Sequence, residues 1–178
     1  MLIIDQDVDA PLGGRLDRWF DSYNAPGTVY LPLVMLDSGE QIDSGDTNFT
    51  QVYGDMIDTA LTRPAGARMA VEAARISNVL QFDVSITNTS GETLSAANRA
   101  TLTALVYEAP ATASAIPVVV RTGTTAITTL ADGDTGNYTF EATVSGLDPS
   151  TTGWVVIADY LPAGSTTAYD TLQAVMGP

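Results

Sequence analysis

Three acidic stretches hold the residues best suited to chemistry. "DQDVD" sets Asp5, Asp7 and Asp9 at alternate positions, "DSGEQIDSGD" gathers Asp37, Glu40, Asp43 and Asp46, and "DGDTGN" gathers Asp132, Asp134 and Asn137. Alternating carboxylate and carboxamide oxygens on a glycine-containing turn suit a hard cation such as calcium, which takes roughly six to eight oxygen ligands. None of the stretches completes a D-x-[DN]-x-[DN]-G loop with its distal Glu. Asp and Gly also belong in hairpin turns and helix caps for reasons of backbone geometry alone. The loop of Asp132, Asp134 and Asn137 is the calcium candidate, and no other cofactor is implied.

Most other chemistries lack their reagents. The chain has no histidine and no cysteine, and its seven basic residues are all arginine. A serine nucleophile needs an adjacent base of the imidazole or amine kind, and a phosphate-binding loop needs its lysine. Thiol-disulfide exchange needs a thiolate. Carboxylate-pair hydrolysis has acids to draw on, but no pair stands out from the 21 available. The expectation is a protein that is not an enzyme.

A formal net charge of −14 repels nucleic acid and anionic membrane surfaces, since binding to either rests on Lys and Arg neutralising phosphates. No apolar run approaches the roughly 18 residues of a membrane span, and "MLIIDQDVDAP" does not read as a signal peptide. Charged residues make up only 16% of the chain, so Ser, Thr, Asn and Gln supply much of its polarity. With Lys, His and Cys absent, this composition points to an exported or cell-surface protein stabilised by packing, cations or assembly rather than by disulfides. Trp19, Phe20, Tyr23, Tyr30 and Tyr53 could form a sugar platform, but their helical or strand spacing assigns them to packing, leaving a glycan partner without a motif. The Asn-x-Ser/Thr sequons at Asn48, Asn88 and Asn137 are no more than such abundant Ser and Thr produce by chance.

The elements that position these residues fall into two parts, 1–65 and 66–178. In the first, "LIID" reads as a strand, and "RLDRWFDSY" places Leu16, Trp19, Phe20 and Tyr23 on one helix face. "VYLPLVMLD" reads as a buried strand and "DSGEQIDSG" as a hairpin. Helical spacing runs from Phe49 to Leu61, with Asp46 or Thr47 as N-cap and Pro64 as the stop. In the second part the apolar period falls to 2. "LQFDVSIT" turns Leu80, Phe82, Val84 and Ile86 inward, and "YTFEATVSG" does the same with Tyr138, Phe140, Ala142 and Val144. Further strands are expected near 68–75, 100–108, 117–121, 126–130, 153–160 and 167–176.

The βαββα order of the first part resembles the C-terminal half of the thioredoxin-like fold. The resemblance makes Pro32 in "YLPLVMLD" the candidate cis-proline, "LDSGEQIDSG" the hairpin and residues 47–61 the last helix. It also implies that the strand and helix bearing the Cys-x-x-Cys pair have no counterpart here. The second part, with "VSITNTSGETLSAAN" joining two alternating strands, resembles the Ig-like β-sandwich domains appended to secreted bacterial proteins. The expected fold class is α+β, mainly β: a partial thioredoxin-like module followed by an antiparallel sandwich.

In the thioredoxin-like sheet the missing strand would lie beside two apolar strands, leaving edges that another chain can pair with. Leu2, Ile3 and Ile4, with Leu33, Val34, Met35 and Leu36, are therefore the expected assembly contacts. The function expected is a non-enzymatic extracellular structural protein that forms a homo-oligomer or homopolymer. Two alternatives stay open: a fragment of a secreted thioredoxin-like oxidoreductase whose cysteine-bearing part is missing, and a calcium-dependent adhesion or glycan-binding module.

Overall fold

The computed structural model describes residues 33–44, 48–108 and 117–177. Leu2, Ile3, Ile4 and Pro32 lie outside them, as do the expected first strand, the Leu16–Tyr23 helix and the expected caps Asp46 and Thr47. The described residues are mainly β, with one α-helix among them.

The chain enters through a hairpin of β1 (Leu33–Leu36) and β2 (Gln41–Ser44), paired antiparallel with Leu36 opposite Gln41. Helix α1 (Phe49–Leu61) follows and buries Met56. Asn48 stands at its N-cap, with its side-chain amide donating to Gln51 Oε1 at 2.9 Å. The next strands are β3 (Ala67–Ile76), β4 (Val79–Asn88), the short β5 (Leu94–Ser95) and β6 (Thr101–Glu108). Then come β7 (Val118–Ala126), the short β8 (Thr129–Leu130), β9 (Thr135–Thr143), β10 (Thr152–Tyr160) and β11 (Asp170–Gly177).

Two antiparallel sheets carry the architecture, one ordered β3-β4-β9 and the other β11-β10-β6-β7. They share one core because strict alternation on β4 and β9 presents a single apolar face to the other sheet. At its centre Phe82 stacks on Phe140, its cross-strand partner, with ring centroids 5.4 Å apart, and meets the edge of Trp154 from the opposite sheet at 5.5 Å. Asn88 caps one end of this core. It is fully buried, and its side chain donates to the carbonyls of Glu92 and Leu130 while accepting from Ser90.

The second sheet is buried on its outer face as well. Leu105, Tyr107 and Val155 point away from the inter-sheet core, yet they are only 4%, 7% and 5% exposed. This explains why β6 ("TLTALVYE") and β10 ("TGWVVIADY") read as nearly continuous apolar runs instead of alternating. On the β7–β9 side the sheet edges close on each other. A Cβ on Gly123 of β7 would lie 2.3 Å from the carbonyl oxygen of Glu141 on β9, so only glycine lets these backbones approach. On the other side a bulge in β11 sets Asp159 opposite Thr171 where Ala158 faces Gln173, and the skipped Leu172 accepts from Gly66 N–H at 3.0 Å.

Candidate functional site: a polar clasp on the outer face

The described residues with the most chemistry-bearing groups in one place lie where the β1–β2 hairpin and the end of α1 meet the outer face of the second sheet. Asp159 is fully buried on β10. Its carboxylate accepts from Thr101 Oγ1 at 2.9 Å and from Ser38 Oγ at 2.9 Å. Ser38 Oγ also lies 2.7 Å from Thr171 Oγ1. A hydroxyl has one proton, and that of Ser38 is given to Asp159, so Thr171 must be the donor in this second bond.

The hairpin tip that delivers Ser38 has an unusual backbone. Asp37 and Ser38 have φ of 50° and 60°, a region L-residues seldom enter, and Gly39 follows at 109°. This conformation aims Ser38 at Asp159 and turns Asp37 toward the end of α1. There Arg63 donates from Nη1 to Asp37 Oδ2 at 3.0 Å and from Nη2 to Asp170 Oδ1. Burial raises the pKa of Asp37; the Arg63 charge and hydrogen bond oppose this, and the nearby charge of Asp170 adds to it. For Arg63, burial works against the charged form, but its bond to Asp170 and the charges of Asp170, Asp37 and Glu40 outweigh it and raise the pKa. Beside this triad lies a shallow cleft of about 250 Å³ lined by Asp37, Arg63, Thr171 and Gln173.

Chemically this arrangement fastens. A carboxylate is a far weaker base than the imidazole or amine that activates serine nucleophiles, and Ser38 is held between two partners. Arg63 is shared by two carboxylates instead of being presented to an anion. A second shallow cleft, about 290 Å³, lies on the outer face of the first sheet and is lined by Glu72, Asp83, Ser85, Asn137 and Thr139 among others. There Asp83 accepts from Thr139 Oγ1 at 2.6 Å and Gln81 Nε2 at 3.1 Å, and these bonds lower its pKa.

The candidates raised by the sequence are dispersed. Leu33, Val34, Met35 and Leu36 form β1, paired with β2, and Val34, Met35 and Leu36 are half-buried. Asp132 accepts from the Gly91 N–H at 3.0 Å, Asp134 accepts from the Asn88 N–H through its backbone carbonyl, and Asn137 lies exposed on β9. Among the described residues no group of three or more acidic side chains is placed to hold a metal ion. The clasp had one sequence signal: Asp159 interrupts an apolar run buried on both faces, and a carboxylate there requires hydrogen-bond partners. Ser38, Thr101 and Thr171 carried no such mark.

No protein-family model matches the chain, and no curated protein is significantly similar to it.

Proposed function

We propose that this chain is a non-enzymatic structural protein of the cell exterior that assembles with copies of itself into an oligomer or filament. In this reading a partial thioredoxin-like layer is clasped onto an Ig-like sandwich. The observation that carries it is the outer edge of β3, ten residues long, which forms no ladder with any strand among the described residues, the nearby β11 being joined only by the bond from Gly66 just before it. An unpaired strand edge is a template for another chain. Support also comes from the clasp, whose polar groups hold one another, and from a surface rich in hydroxyls and poor in charge.

The test is the size distribution of the purified chain by light scattering and electron microscopy, with and without millimolar calcium. A fixed oligomer or regular polymer is expected; a monodisperse monomer under every condition would overturn the reading.

The order of the β1–β2 hairpin and α1 favours a second reading, a fragment of a thioredoxin-like oxidoreductase. A natural reading frame with Cys-x-x-Cys upstream of Met1 would support it, and an export signal directly upstream would exclude it.

A further inference from the structure

We infer that β3 is the joint of a two-fold symmetric dimer, in which the outer edge of one copy pairs antiparallel with the same edge of a second copy, Ala70 opposite Ala70. This deepens the assembly reading and rests on it.

The register follows from the backbone. Asn88 directs its N–H and C=O toward Asp134 and Gly133, on the β9 side of β4. Residues of an antiparallel strand bond alternately to one neighbour and the other. Thr87, Ser85 and Asp83 therefore bond to β3, at Arg68, Ala70 and Glu72. That leaves the backbone groups of Met69, Val71 and Ala73 pointing away from β4, on the side where β11 approaches the start of β3 near Gly66 but forms no ladder with it.

Side chains select the partner. Arg68, Ala70 and Glu72 are exposed on the outer face of the sheet, while Met69, Val71 and Ala73 are half-buried toward the core. Neither Arg68 nor Glu72 has an ion-pair partner among the described residues. Arg68 faces Thr87, and Glu72 faces the acidic Asp83 directly across the ladder, an arrangement that disfavours the monomer. With Ala70 on the two-fold axis, Met69 of each copy meets Val71 of the other in a hydrogen-bonded pair. Arg68 then meets Glu72 in a non-hydrogen-bonded pair, the closer kind. Two-fold symmetry makes both contacts twice, and each cation falls beside the Glu72–Asp83 like-charge pair. Charges on a strand edge usually discourage pairing; the opposite signs at positions 68 and 72 make this edge complementary to itself.

The experiment uses the full chain in sedimentation and light scattering over a concentration series. Wild type should show a concentration-dependent dimer. Arg68→Glu and Glu72→Arg should each be monomeric alone and form a heterodimer when mixed one to one, because the mixture restores opposite charges at both contacts. Both substitutions are at exposed positions, so folding is kept, as circular dichroism will show. Val71→Pro should also be monomeric, since it deletes an N–H that faces the open edge and not the β4 ladder. Wild type that associates while all three variants associate equally would overturn the joint and leave the assembly reading standing. Wild type that stays monomeric throughout would overturn both, and a mixture of the two charge variants that fails to pair while wild type dimerises would overturn the joint alone.

Discussion

Ser38 Oγ donates to Asp159 Oδ2 at 2.9 Å across 121 residues of sequence, joining a left-handed turn to a fully buried carboxylate. Backbone strain in the turn is offset by the hydrogen bond it makes possible. Ser38→Ala should lower stability by about 1–3 kcal/mol, because it leaves a buried carboxylate short of a donor. Ser38→Gly also loses the bond but relieves the positive φ, and should cost about 1 kcal/mol less. Urea midpoints compared at constant m separate the two variants; wild-type midpoints for both would show that the clasp contributes nothing.

Arg63 holds Asp37 and Asp170 together at the margin of the same junction. Its side chain is 28% exposed, so Arg63→Gln should cost only about 1 kcal/mol at neutral pH. The pH dependence has a definite sign. Asp37 has a raised pKa in the folded state, so between its unfolded and folded pKa values the native state binds more protons, and this group's contribution to stability falls as pH rises. Removing Arg63 removes the groups that hold that pKa down. The penalty of Arg63→Gln should therefore be fully present above the Asp37 titration and shrink as acid protonates it. A penalty that grows on acidification would contradict the assignment.

Asp83 and Asp148 shift the other way. Both have lowered pKa values, Asp83 from bonds with Thr139 and Gln81, Asp148 from the backbone and hydroxyl of Ser150. Their contributions are present above the unfolded pKa and are lost as pH falls through the folded value. In Thr139→Val, NMR titration should show the Asp83 carboxyl moving back up toward the ordinary carboxylate range while Asp148 stays put. An unmoved Asp83 would mean that the Thr139 bond is not the cause.

Gly123→Ala tests the closure between β7 and β9. The added methyl would lie 2.3 Å from a backbone oxygen, which no side-chain rotation relieves, so a loss of about 1–3 kcal/mol or more is expected. Gly54, in α1, has open space around the same atom, and Gly54→Ala should be neutral or stabilising by up to about 1 kcal/mol. Equal thermal shifts for the two would contradict the close approach.

The strands of the second part were legible because one-sided burial leaves a period of 2. Leu80, Phe82, Val84 and Ile86 all face the core, and the helix expected to end at Leu61 does so. The burial of Leu105 and Val155 on the opposite face of the second sheet breaks that period in β6 and β10. The clasp was not legible. Ser38, Thr101, Asp159 and Thr171 lie far apart in sequence, and each residue type is ordinary where it stands. Only the bulge that brings Thr171 opposite Asp159 and the left-handed turn at Ser38 bring them together. The edge of β3 was missed for a related reason: that Arg68 and Glu72 complement their own copies emerges only once the direction of each backbone group is known.

Residue-resolved hydrogen exchange by NMR, at low and high protein concentration, tests the central claim of assembly through a strand edge most directly. The amides of Met69, Val71 and Ala73 should exchange rapidly when dilute and become protected when concentrated, while those of Arg68, Ala70 and Glu72 stay protected at both. Rapid exchange at Met69, Val71 and Ala73 at every concentration, in a chain that sediments as a monomer, would contradict it.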